Sequence, residues 1–193
     1  MLPDPFHLLK RDQIRETAVF EGDVLFREGD RTKNMFVSKN AVVGLVRFGP
    51  DGEPIPIYKA MPGNSFAEAS VFVPRYHCDA IVDRPGAVFR IPKILILTAL
   101  GDPEFAICYN RIMSGQVQAY RQRIELLSIK SAQERVYAAI VAGYLDGSIM
   151  EFSEKIALTH EATYRALRCL VEQGRVVKPR RGTFHLAHVD PEE

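Results

Sequence analysis

From Arg165 to Arg181 the chain sets Arg165, Arg168, Arg175, Lys178, Arg180 and Arg181 against one acid, Glu172. Guanidinium and ammonium groups at that density suit phosphate oxygens, the dominant charge of a nucleic acid. The formal charge of the whole chain is only +1, so any such attraction is local. Upstream, Glu161, Thr163, Tyr164, Arg165 and Arg168 are spaced to face outward or sideways on one helix, where polar side chains near a helix start can enter a DNA major groove.

Those residues need elements to position them. Ser148 is a helix N-cap, followed by Ile149, Phe152 and Ile156 on one face. Leu158 breaks the pattern and Thr159 caps a second run, in which Ala162, Ala166, Leu167 and Leu170 face one way. Gly174 ends that helix, Val176 and Val177 read as a strand, Lys178 to Gly182 as a basic turn, and Thr183 to Ala187 as a return strand. The outline is a winged helix-turn-helix. Helix pairs with a hairpin occur in other folds, and a basic turn alone also suits plain solvation.

The 193 residues suffice for one large or two small domains. Cys78, Cys108 and Cys169 are odd in number and far apart, with no CxxC pair, so a zinc ribbon and a disulfide framework are not expected. No signal peptide and no apolar run of membrane-spanning length is present, which predicts a cytoplasmic protein with no membrane partner.

Leu8 to Thr17 is predicted as a short helix. From Ala18 to Ile91, short β-rich runs alternate with turn signals, and GPDGE between VGLVRF and PIPIYKA is a hairpin candidate; this predicts an antiparallel β-barrel or jelly roll. From Pro103 to about Leu127 a long helix is expected, with an apolar seam at Cys108/Tyr109, Ile112, Val117, Tyr120, Ile124 and Leu127. The seam either pairs with a twin helix or covers the barrel; pairing is favoured, with Ile112, Val117, Tyr120, Ile124 and Leu127 as dimer contacts. Ser128 to Ser131 reads as a hinge and Ala132 to Tyr144 as a further helix. The fold class is thus α+β: a sensing barrel over 1–101, a dimerisation helix over 102–128 and a winged helix-turn-helix over 129–193.

In that order of elements the chain resembles the Crp/Fnr family of bacterial transcription regulators. The resemblance rests on EGDVLFREGD with Gly22 and Gly29, MPGNSFAEASVF at the family's phosphate cassette, SAQERV, and THEATYRALRCLVEQGRV at the recognition helix. It implies that Glu161 and Arg165 read bases: Arg bonds bidentately to guanine N7 and O6, and Glu accepts from the cytosine amine. Thr159, Arg168, Lys178, Arg180 and Arg181 would contact phosphates. His160 and Tyr164 stand where the cyclic-AMP-responsive members carry other residues, so a different half-site is expected; His160 contacts a phosphate or nothing.

The resemblance also locates an effector pocket at Ala67, Glu68, Cys78, Asp79, Tyr120 and Arg121. Glu68 matches the cassette, but Ala67 replaces its glycine, Cys78-Asp79 replaces the phosphate-neutralising Arg-Ser pair, and Tyr120-Arg121 replaces the adenine-contacting pair. Cyclic AMP is therefore not the expected effector, and no cofactor is firmly implied. Haem with His77, Cys78 or His7 as ligands, or a reactive thiol at Cys78, are alternatives of the same fold, and no metal site is assigned. An iron–sulfur centre is not expected, since no cysteine precedes Cys78. A cupin-like enzyme would need more histidines than His77 alone, and no nucleophile elbow, P-loop or HExxH motif is present, so the expectation is not an enzyme. A regulatory subunit that does not bind DNA would leave the Glu161/Arg165 face idle. The expected partners are double-stranded DNA, a second copy of the chain, an unidentified small-molecule effector and RNA polymerase.

Overall fold

The computed structural model describes residues 2–180 and 182–187. Arg181 and the acidic tail fall outside them. The chain forms two compact units, Met1–Met113 and Ser114–Glu193.

In the first unit the strands are β1 (Arg15–Val19), β2 (Val24–Phe26), β3 (Asn34–Ser38), β4 (Val42–Phe48), β5 (Pro54–Ala60), β6 (Ser65–Phe66), β7 (Asp79–Arg84) and β8 (Gly86–Pro92). They build two antiparallel four-stranded sheets, ordered β1-β8-β3-β6 and β2-β7-β4-β5. The result is jelly-roll-like; the barrel does not close. Between the sheets lies a core that includes Phe26, Phe36, Phe66, Tyr76, Cys78 and Val88. Its rings are stacked: Phe26 on Tyr76 at 3.8 Å and Phe36 on Phe66 at 5.2 Å between centroids. A second core, with Phe6, Met35, Phe89, Ile91, Ile96, Phe105 and Tyr109, covers the outer face of the first sheet beneath α1 (Lys93–Ala99) and the start of α2 (Pro103–Ser128). Alternation along β8 explains this division, since Val88 enters one core while Phe89 and Ile91 enter the other.

The expected hairpin is β4–β5, where Gly49 N–H bonds to Glu53 O at 2.9 Å and Gly52 takes φ +77°. The turns after β1 and β2 place Gly22 and Gly29 at φ +83° and +84°, left-handed values that cost glycine little. Leu8 to Thr17 is not a helix. It forms two 3-10 turns, Phe6–Leu8 and Arg11–Gln13, and then β1. A helix of that length is marginal on its own, and burial of Phe6, Leu9 and Ile14 with pairing of β1 to β8 outweighs it.

α2 runs unbroken for 26 residues, about 39 Å at the standard rise. Tyr109, expected on its seam, is instead buried in the outer core, its ring edge-on to Phe6. Ile124 is 68% exposed, Val117 and Tyr120 are exposed, and Ile112 and Leu127 are half-buried.

The second unit holds α3 (Ala132–Val141), α4 (Ile149–Lys155), α5 (His160–Glu172), β9 (Val176–Arg180) and β10 (Thr183–Leu186). α3 stops short of Tyr144, with Gly143 at φ +76° just beyond it. Val136, Ile140, Phe152, Ile156, Leu167, Leu170, Val176 and Phe184 form its core. Among the described residues no helix is long and apolar enough to cross a membrane.

Candidate nucleic-acid interface and effector pocket

Each helix of the α4–α5 pair is started by its own side chain. Ser148 accepts the Glu151 N–H while Glu151 accepts the Ser148 N–H at 2.9 Å, a capping box that sets where α4 begins. Thr159 Oγ1 accepts the Ala162 N–H at 3.1 Å and starts α5. Between them Ala157 takes φ +51°, a left-handed value that costs a residue with a Cβ about 1–2 kcal/mol. Arg135, which the sequence pattern did not single out, braces this turn. Its guanidinium donates to Ile129 O at 2.7 and 3.0 Å and to Ile156 O at 3.3 Å, satisfying the end of α4 and the segment before α3 together.

On α5 the buried side consists of Thr163, Ala166, Leu167 and Leu170. Thr163 therefore does not face outward as expected: it is fully buried, and its hydroxyl donates to Thr159 O at 3.0 Å. Three residues after the first helical position, it falls on the face that packs inward. His160, Glu161, Tyr164, Arg165 and Arg168 lie on the exposed side. Glu161 and Arg165 are one turn apart, and neither forms an ion pair among the described residues. His160 and Tyr164 meet edge-on, 4.7 Å between ring centroids.

The wing is anchored from below. Arg175 pairs bidentately with Glu134 of α3 at 2.6 and 3.1 Å and lies 3.8 Å over the Tyr137 ring, so this cation is committed to structure. Lys178 and Arg180 are exposed on β9, with Lys178 Nζ 5.6 Å from the Phe184 ring. The basic surface is thus Arg165, Arg168, Lys178 and Arg180. Arg181 lies outside the described residues.

In the first unit, the residues expected to line an effector pocket are largely engaged with the protein itself. Ala67 is buried at φ +65°, the conformation a glycine adopts freely. Glu68 accepts a hydrogen bond from Ser65 Oγ and precedes the 3-10 turn Ala69–Phe72. Asp79 is engaged by the protein itself: its carboxylate accepts the Glu28 N–H at 2.7 Å and lies 3.4 Å from Arg27 Nη1, tying β7 to the end of β2. Cys78 is buried in the inner core; burial pushes its thiol up, Arg47 pulls the other way, and Asp79 adds to the rise. His77 is exposed, in the bend that precedes β7, while Cys78 beside it is buried. Arg47 Nε donates to the His77 carbonyl at 3.1 Å. Position 78 is thus a buried thiol and position 79 a carboxylate already bonded within the protein, and neither offers a positive charge to a phosphate. Tyr120 and Arg121 lie exposed on α2, in the second unit.

Among the described residues no three His, Cys, Asp or Glu side chains converge as a metal site would require. His7 is exposed beside Asp4 at 3.7 Å. A cleft of about 460 Å³ that the sequence did not signal opens between Leu8–Gln13, α1 and the start of α2, lined largely by Leu8, Leu9, Ile94, Leu95, Thr98 and Phe105.

Residues 17–101 match the family model of the cyclic nucleotide-binding domain. No curated protein matches the sequence. Solved structures match in fold over nearly the whole chain. FixK2 from Bradyrhizobium japonicum is 19% identical, with 91% of this chain and 93% of that one covered and a TM-score of 0.63. The c-di-GMP responsive global regulator CLP of Xanthomonas campestris is 12% identical, with 92% and 96% covered and a TM-score of 0.61. A CRP-family transcriptional regulator from Thermus thermophilus is 16% identical, with 90% and 92% covered and a TM-score of 0.55.

Proposed function

From a chain whose residues 17–101 match the cyclic nucleotide-binding domain model and about nine-tenths of which is similar in fold to FixK2 and to a CRP-family transcriptional regulator, we infer a homodimeric, non-catalytic, cytoplasmic transcription regulator of the Crp/Fnr type. The observation that carries this reading is the exposed side of α5. It presents Glu161 and Arg165 without ion-pair partners among the described residues, on a helix whose start is fixed by Thr159 and whose flank is a wing bearing Lys178 and Arg180. Arg165 would bond a guanine edge and Glu161 a cytosine amine. Thr159, Arg168, Lys178, Arg180 and Arg181 would grip phosphates, with His160 and Tyr164 setting a half-site of their own. The exposed Val117, Tyr120 and Ile124, with Ile112 and Leu127 beside them, would pair with a second copy, bringing two α5 helices onto half-sites about 34 Å apart. An effector other than cyclic AMP would bias that spacing, and RNA polymerase is the further partner a regulator of this kind would meet.

Operator selection from random duplexes, followed by affinity measured against salt, tests this. Arg165→Ala is expected to lose about 1–3 kcal/mol on the selected site and to relax its preference at one base pair. Arg180→Ala should weaken all duplexes alike and lower the salt slope by about one. A duplex affinity independent of salt would sink the reading in favour of a regulatory subunit that does not bind DNA.

A further inference from the structure

The polar groups on the inner face of the first sheet do not balance. Strand alternation puts Arg15 and Thr17 on the same side of β1 as Val19, and Arg90 on the same side of β8 as Val88. Val19, Val88 and Phe36 belong to the core between the sheets, so both arginines and the threonine turn toward that space. In the ladder Arg15 is the direct partner of Arg90, and on its other side Arg90 faces Phe36. Arg90 Cζ accordingly lies 5.6 Å from the Phe36 ring centroid.

Two like charges directly opposite each other weaken a sheet. Neither arginine forms an ion pair among the described residues, because Glu16 turns to the other face and pairs with Lys39 at 2.6 Å and Arg11 at 3.4 Å. Asp30, which acts on Tyr76 along with Arg90, accepts the Arg27 N–H at 2.9 Å. The atoms that face inward are unsatisfied as well. Arg90 Nε and Thr17 Oγ1 are both buried without a hydrogen-bond partner. A buried donor left without a protein partner costs the fold its desolvation, so a group that accepts from these atoms would be favoured here.

We propose that Arg90, Arg15 and Thr17 form an oxyanion site at the edge of the space between the sheets, and that the effector is held there by a carboxylate or phosphate group. The proposal deepens the regulator reading and rests on it for the word effector; the binding itself does not depend on DNA. A guanidinium presents Nε–H and one Nη–H as a fork matched to two oxygens, and the Thr17 hydroxyl adds a third donor. The second positive charge, at Arg15, stands at the more exposed end of the pair.

The test is a titration of ¹⁵N-labelled full-length protein, free of DNA, with inorganic phosphate and separately with acetate. The Arg90 Nε–H signal and the Thr17 amide are expected to shift saturably with at least one anion; phosphate alone would indicate a phosphorylated effector, acetate alone a carboxylic acid. Arg90→Gln should weaken that affinity about tenfold or more and Thr17→Val by a smaller factor, read at the remaining signals. Absence of a saturable shift with both anions would overturn the site, as would an affinity unchanged in both variants. The wild-type signals decide the matter even if Arg90→Gln does not fold. Operator binding on the same wild-type sample fails or succeeds independently, so a false regulator reading and a false anion site give different results.

Discussion

Cys78 shows at the scale of one residue how a position can keep its place and lose its chemistry. It stands where the resemblance implies a cationic residue, but its side chain is 2% exposed in the inner core and burial raises its thiol pKa. A thiol whose pKa is raised holds less thiolate at any given pH and reacts more slowly. Alkylation of the native protein at pH 8 should therefore label Cys108 and Cys169, both half-buried, well before Cys78. Labelling of Cys78 first would restore a thiol sensor. Ala67 makes the complementary case, keeping a glycine-like φ of +65° with a Cβ present. Sequence alone showed both substitutions. It did not show that Asp79 is occupied by the Glu28 N–H, because that contact spans 51 positions and depends on how β7 meets β2.

Elements were legible where the signal is local. The Ser148 and Thr159 caps, the β4–β5 hairpin and the length of α2 follow from side chains within a few residues of one another. The 3-10 turns near the N-terminus and the Arg135 brace depend on tertiary packing, which no short window records, whereas the inward turn of Thr163 lies in its spacing of three, four and seven from Ala166, Leu167 and Leu170. Charge on the second unit's elements gives a pH dependence. Both Glu134 and Glu151 titrate below the ordinary carboxylate value of 4.5, Glu134 through the hydrogen bond from Arg175 and Glu151 through the Ser148 N–H. A carboxyl held low in the fold contributes stability that is fully present above its unfolded pKa and is lost as pH falls through the folded value. Hydrogen exchange of α5 amides in the full-length protein should thus quicken as pH falls from about 5 toward 3, after correction for intrinsic exchange. Glu134→Gln should flatten that response; an unchanged profile would mean the Arg175 bond does not couple to the unit's stability.

For the whole molecule, the proposed assembly rests on the exposed apolar residues of α2. Ile124→Asp places a charge in the proposed seam, and sedimentation should find a monomer where the wild-type chain is a dimer, with operator affinity reduced because half-sites are no longer engaged together. A dimer that survives would shift the contact to another face. The left-handed Ala157 and the Arg135 brace bear on how such a dimer would meet its site. The turn is locked by bonds already made in the free chain, so its ordering entropy is spent during folding, before any duplex arrives. Calorimetry of operator binding is then expected to give a heat-capacity change no larger than rigid docking of the contact area requires, and Arg135→Ala should make it more negative by transferring the ordering of the turn to the binding step. The reading head would behave as a finished tool, with its sequence preference expressed in how long it stays on the operator more than in how fast it arrives.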